Sequence, residues 1–183
     1  MLAHSFAEGA ELRLLEQHHA PELFALIEHN RSYLRRWMPE WDVQKSLDEC
    51  KTVIRSSLER FAANGGSTLG IWWQGHLAGV IGAAAFDWEN RSTMIGYWLG
   101  ESFQGKGLMT GACRALLDYL FFELKLHRVE IRCAIGNARS CAVPKRLGFT
   151  KEGVLRQAQA FDDQFLDLEV YALLAEDWNR VTE

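Results

Sequence analysis

Apolar positions along the chain change period several times, and each change marks an element. A short run, AELRLLE, predicts a strand near the start. HHAPELFALIEHNRSYLRRW puts Leu23, Leu26 and Ile27 on one helical face, with Pro21 in the first turn, where its missing N–H costs nothing. SLDECKTVIRSSLERFAANGG predicts a second helix, with Ser46 and Glu49 spaced as a capping box and Gly65-Gly66 ending it. STLGIWWQGHLAGVIGAAAF reads as two strands joined at Gln74-Gly75, and STMIGYWLG as a third. TGACRALLDYLFFEL returns to the helical period, with Cys113, Leu116, Leu120 and Leu124 on one stripe. RVEIRCAI predicts a strand, followed by a short helix and the stretch GFTKEGVLRQAQAF. Asp162-Asp163-Gln164 predicts a turn, FLDLEVYALL a last strand and AEDWNRV a terminal helical turn. Strand, two helices, three strands, helix, strand, helix and two strands make a mixed α/β domain. One strand–helix–strand crossover is parallel and the rest are hairpins.

No repeat, low-complexity segment or linker divides the chain, so residues 1–183 read as one domain. Apolar residues are 48% of the total, enough for a packed core. The net charge of −4 argues against direct nucleic-acid binding. No secretory leader is visible, and no apolar run reaches the roughly 18 residues a membrane span needs, so the expectation is a cytoplasmic protein with no membrane partner. Cys50, Cys113, Cys133 and Cys141 include no C-x-x-C pair and read as reduced thiols, with Cys141 a packing residue rather than a nucleophile. His127 and the pair His18-His19 lack partners at metal spacing, so no metal is expected.

The segment IGYWLGESFQGKGLMTG places Gly105, Lys106 and Gly107 where a strand hands over to a helix. A Walker loop is ruled out, because Gly107 follows Lys106 and no glycine stands five residues before Gly105. A dinucleotide fingerprint lacks its third glycine, and its acidic residue would be Glu130, in mid-strand. The pattern Q/R-x-x-G-x-G/A fits better, with Gln104, Gly107 and Met109 at its positions. Backbone N–H groups of such a turn converge on a pyrophosphate, helped by the positive helix end.

Downstream, RVEIRCAIGNARSCAVPKRLGFTKEG carries Asn137 and Ser140 as N-x-x-S, then Leu147-Gly148-Phe149 and Glu152-Gly153. Together with YWLGESFQGKGLMT it resembles the GCN5-related N-acetyltransferase superfamily, and within it the RimJ/RimL-type group, which acetylates N-terminal amines of ribosomal proteins and similar amines. The resemblance runs from LRLLE through YALLAEDW. It implies a central, mostly antiparallel sheet of six to seven strands with one parallel β-α-β crossover, and acetyl-CoA as co-substrate. It implies that Ile95–Leu99 offers backbone N–H groups of Tyr97, Trp98 and Leu99 to the thioester and pantetheine. It also implies that Gln104, Gly105, Lys106, Gly107, Leu108, Met109 and Thr110 hold the diphosphate. Met109 departs from the small residue expected there, and Lys106 either adds charge or is a solvated lysine.

Acetyl transfer requires a proton for the leaving thiolate, and Ser140 is the candidate donor alongside Tyr97 as a catalytic residue. A proline is best tolerated in a first turn, so Pro144 predicts a helix beginning near Ser140; a simple cap is the other reading of that serine. Asn137 either contacts the pantetheine or shapes the turn. An α-amine with a pKa of roughly 8 needs little help to become a free base, whereas a lysine-like amine needs a general base. None is evident: Asp87, Glu89, Glu101, Asp162, Asp163, Asp167 and Glu169 stand near the motif strands, but Gln157 and Gln159 occupy the place where a carboxylate would be sought. Trp37, Trp41 and Trp88 are candidates for lining an acceptor groove, or else pack on the core. The reading is an acetyl-CoA-dependent transferase acting on a protein N-terminus. The alternatives are a small-molecule amine acceptor, a non-catalytic acyl-CoA-binding module and, last, a dinucleotide oxidoreductase. The long apolar last strand reads as a free edge that invites a homodimer.

Overall fold

A computed structural model describes residues 3–38, 45–161 and 164–182. They form one eight-stranded sheet in the order β1-β2-β3-β4-β5-β6-β8-β7. The strands are β1 Ala3–Ala7, β2 Ala10–Leu14, β3 Ser67–Trp73, β4 His76–Ala83, β5 Ser92–Leu99, β6 Arg128–Ala134, β7 Thr150–Phe161 and β8 Gln164–Leu174. The helices are α1 Ala20–Arg35, α2 Leu47–Ala62, α3 Leu108–Asp118, α4 Ala138–Arg146 and α5 Ala175–Thr182. The mixed sheet and its single parallel pair agree with the sequence. The strand count is one higher than expected, because AHSFA pairs with β2 as a short, largely exposed edge.

Local chemistry explains most boundaries. The Ser46 hydroxyl accepts the Glu49 N–H at 3.2 Å and so caps α2, while the Glu49 carboxylate takes the Lys45 N–H. Gln74 and Gly75 both adopt left-handed φ, 52° and 82°, the two-residue turn that matches strand twist. Two clusters cover the two faces of the sheet. Leu23, Ile27, Leu34 and Ile54 of α1 and α2 bury Trp72, Val80 and Trp98. Cys113 and Leu116 of α3, Leu120 of the π-helical turn Tyr119–Glu123 that continues it, and Trp178 of α5 bury Ile71, Ile81, Ile95, Ile131 and Leu173. Neighbouring residues such as Val80 and Ile81 serve opposite faces, as the period-two pleat requires.

Two expectations are corrected. The last strand is not an edge: β8 lies between β6 and β7, and the exposed edges are β1 and β7. The chain returns in a long hairpin, and its first arm takes the outer position. Helix α4 begins at Ala138, which puts Ser140 in its first turn as expected, but Pro144 stands in the helix interior and not in that turn.

The feature that positions a site is where pairing stops. Strands β5 and β6 pair only over Ser92–Met94 with Arg128–Glu130. Beyond that, β5 follows β4 to Leu99 and β6 follows β8 to Ala134, so the two diverge and leave a wedge in the middle of the sheet.

Candidate active site

The wedge opens into a cavity of about 1350 Å³. At its centre, Ile95–Leu99 keeps one side free of strand pairing, so backbone donors and acceptors there remain available to an extended ligand. Of the residues expected to act, Tyr97, Trp98, Leu99, Gln104, Gly105, Gly107, Leu108, Met109, Thr110, Asn137, Ser140 and Trp37 all border this one space.

One end is the turn before α3. Gly105 and Gly107 take φ of 74° and 77°, a region unfavourable to residues with a Cβ. A Cβ built on either would meet no protein atom within 4 Å, so the open side of the turn is free for a ligand. Gly107 caps α3, and the first helical bond runs from Gly111 N–H to Gly107 C=O at 3.0 Å. The N–H groups of Leu108 to Thr110 therefore have no helical acceptor and are available to an anion. Met109 is 8% exposed and joins the core cluster while bordering the cavity, so the side chain that departs from the motif is absorbed by packing. The Gln104 amide donates to the Tyr33 hydroxyl at 2.6 Å and its carbonyl oxygen accepts from Arg139, linking α1 to α4 across the cavity. Arg146 Nε donates to Thr110 Oγ1 at 3.3 Å. Two guanidinium groups thus flank the glycine turn. Lys106 does not border the cavity, and its ammonium sits 5.0 Å from the Trp73 ring.

The waist of the cavity is α4. The Asn137 side chain accepts the Ser140 N–H at 3.2 Å, so Asn137 is the cap and Ser140 belongs to the first turn. The Ser140 hydroxyl faces Cys133 Sγ at 3.3 Å, and its carbonyl accepts the Tyr97 hydroxyl at 3.1 Å. Burial pushes the Tyr97 hydroxyl well above its usual range, so it stays protonated and donates. Burial likewise raises Cys133, and Cys141 to about 12, which keeps both as thiols. All four cysteines are free and buried.

The opposite end lies on the α1 face. Trp37, Met38, Met94 and Gln159 border it, and the Gln159 amide donates to the Trp37 carbonyl at 3.1 Å. Trp41 lies outside the described residues. Trp88 does not reach the cavity: its indole N–H bonds to the Asn64 carbonyl at 3.1 Å, and its ring packs edge-on against Phe86. Glu101 is the one acidic side chain at the cavity wall among the described residues. No three His, Cys, Asp or Glu side chains among the described residues are grouped to hold a metal. No described helix is long and apolar enough to cross a membrane.

Sequence reasoning missed Arg132, Arg139 and Arg146, which border the cavity. The spacing of Arg139 and Arg146, seven residues apart on one helix face, was the available signal.

Comparison with known proteins places this geometry. Residues 10–150 match the family model described as acetyltransferase (GNAT) domain. YdaF of Bacillus subtilis (strain 168) is 38% identical over 93% of this chain and 94% of its own length. The ribosomal-protein-serine acetyltransferase of Escherichia coli (strain K12) is 29% identical over 91% of this chain and 93% of its own. Among solved structures, RimL, the ribosomal L7/L12 alpha-N-protein acetyltransferase in complex with coenzyme A, superposes with a TM-score of 0.92 and 28% identity. That match covers 96% of this chain and 99% of RimL.

Proposed function

The chain belongs to the GNAT acetyltransferase domain family and is an N-acetyltransferase, and from that premise we propose that it transfers an acetyl group from acetyl-CoA to the α-amine of a protein N-terminus, ribosomal proteins being the favoured acceptors. The observation that carries the reading is the wedge: one cavity joins a helix N-terminus, a free strand edge, a serine hydroxyl and an aromatic mouth. Relatives that act on ribosomal proteins and align over nearly the whole chain support the acceptor class.

Acetyl-CoA, when bound, supplies the activated acetyl group. Backbone N–H groups from Gly107 to Thr110 hold the diphosphate, and Arg139 and Arg146 add charge beside it. The free edge from Tyr97 to Leu99 pairs with the pantetheine amides and aims a donor at the thioester oxygen, a contribution worth about 3 kcal/mol in comparable sites. The neutral amine attacks the carbonyl carbon, a C–N bond forms and the C–S bond breaks. Ser140 gives its hydroxyl proton to the departing sulfur, and the proton that the amine loses to water returns through water to the Ser140 oxygen. An α-amine near pKa 8 is about one-tenth neutral at pH 7, so it needs no carboxylate base at the mouth. Trp37 lines the acceptor side.

We assign the protein to the cytoplasm, whose reducing poise suits four free thiols. A homodimer is proposed through the outer edge of β7, where Val154 and Leu155 are exposed; sedimentation velocity tests it. The functional test is acetylation of synthetic peptides carrying ribosomal-protein N-termini, read by mass spectrometry. Acetyl on the α-amine alone supports the proposal. Modification only of lysine side chains or polyamines overturns it.

A further inference from the structure

We propose that Arg132 reads an anionic group on the acceptor, so that the preferred acceptor carries an acidic side chain within the second to fourth residue from its free amine. This inference rests on the N-terminal transferase reading above.

The pleat sets the direction. Along β6, Val129, Ile131 and Cys133 enter the core shared with α3 and α4, and Cys133 meets Ser140 there. Arg132 therefore projects to the opposite face, the side of α1, Trp37 and Met38. It stands two residues beyond Glu130, the last residue of β6 paired with β5, so no neighbouring strand covers it on that side and it borders the cavity.

Its position is fixed by a ladder of charges. Arg132 Nε donates to Glu130 Oε1 at 2.6 Å. The other Glu130 oxygen accepts Arg128 Nη2 at 3.2 Å. Arg128 in turn holds Glu152 with two bonds, of 2.7 and 2.6 Å. The Glu130 side chain is only 18% exposed, so it is a firm anchor. The ladder uses one nitrogen of Arg132. The two terminal nitrogens have no partner among the described residues, and the side chain is 43% exposed. The result is a guanidinium anchored at Nε on a residue that borders the cavity, with its outer fork, the part that matches a carboxylate in two parallel bonds, left for a ligand.

The rest of the wall agrees. Arg139 and Arg146 are engaged with Gln104 and Thr110 at the glycine turn, and Glu101 is the single acid among the described lining residues. The Glu130 carboxylate beside Arg132 is already engaged by Arg132 and Arg128, which leaves Glu101 as the one acid a polycationic acceptor meets among the described lining residues. An acidic peptide finds the anchored Arg132 guanidinium. The ladder is charge-neutral, so selectivity comes from directed hydrogen bonds at short range and not from a long-range field.

The test uses the full chain, acetyl-CoA and short peptides with free N-terminal serine, differing only in Glu, Gln or Lys at positions two, three or four. At one position the Glu peptide is expected to exceed its Gln counterpart roughly 10- to 100-fold in kcat/KM, the range for hydrogen bonds to charged groups. Arg132→Gln is expected to remove that ratio and Arg132→Glu to invert it toward Lys. Thermal unfolding with acetyl-CoA shows that each variant is folded. Wild-type kcat/KM values equal within twofold for all three residues at all three positions overturn the proposal, whatever the variants do. So does an Arg132→Gln enzyme that keeps the acidic preference. If no peptide amine is acetylated although acetyl-CoA binds, the N-terminal transferase reading itself falls and this inference with it.

Discussion

The Tyr97 hydroxyl donates to the Ser140 carbonyl, the one group in α4 that Pro144 cannot serve. In an unbroken helix that carbonyl accepts from the residue four positions on. Here that residue is a proline without an N–H. A side chain from β5 supplies the missing donor, and in doing so ties the strand that borders the cavity to the turn that carries Ser140. Tyr97→Phe is expected to leave a carbonyl unsatisfied and to cost about 1–3 kcal/mol. In a Pro144→Ala background, where the helix regains its own donor, the same change is expected to cost clearly less. A double-mutant cycle by denaturant unfolding measures the coupling. Additive costs would mean that the hydroxyl and the proline do not share this carbonyl.

The proposed proton donor makes a separate claim. Ser140→Ala removes a hydroxyl that contacts Cys133 and leaves the cap intact, because the Asn137 side chain bonds to the Ser140 backbone N–H. Turnover is expected to fall about 100-fold, the lower end for general-acid help. Acetyl-CoA affinity is expected to be nearly unchanged. Coenzyme A thiol release under saturating substrate gives the first quantity and calorimetry the second. Full turnover in Ser140→Ala would assign the proton to water.

The legible parts of this site were those written in a few consecutive residues. Gly105 and Gly107 announce left-handed backbone locally, and Asn137 three residues before Ser140 announces a turn or cap. Illegible parts were made by tertiary approach. Gln104 meets Tyr33 of α1 and Arg139 of α4, and Gln159 meets Trp37, contacts between segments far apart in sequence. Pro144 misled for an instructive reason: the preference for a first turn assumes that no outside donor compensates, and Tyr97 does. Strand β1 was invisible because AHSFA has no buried alternation of its own and becomes a strand by pairing with β2. Trp88 shows that an aromatic count does not locate a cleft.

Glu169 sets an acid limit on stability. The Lys151 ammonium, and then the Tyr171 hydroxyl, hold its carboxyl down to about 2. In the unfolded chain a glutamate titrates near about 4.3. A depressed folded value means the unfolded state takes the proton first, so the stabilisation is present above roughly pH 5. It is lost progressively as pH falls toward 2. Denaturant midpoints measured from pH 7 to pH 2.5 are expected to fall more steeply for the wild type than for Glu169→Gln. The variant is also expected to be less stable at pH 7. Parallel profiles would mean that the carboxylate keeps an ordinary value in the fold.

Gly75 and Gly107 separate backbone strain from ligand binding. Both have left-handed φ, 82° and 77°, and a Cβ on either meets no protein atom within 4 Å. Gly75 sits in the β3–β4 turn and does not border the cavity, whereas Gly107 does. Alanine at either position is expected to cost a similar amount of stability, about 1–2 kcal/mol from the left-handed backbone. Their effects on acetyl-CoA should diverge. Gly75→Ala is expected to bind like the wild type, because the turn is remote. Gly107→Ala puts a methyl group where the diphosphate must approach bare backbone, and is expected to lose affinity at least 10-fold. Gly107→Trp should abolish binding. Calorimetry at a temperature where all variants remain folded reads this directly. If Gly107→Ala binds acetyl-CoA as tightly as Gly75→Ala, the glycines serve only the turn and the diphosphate lies elsewhere.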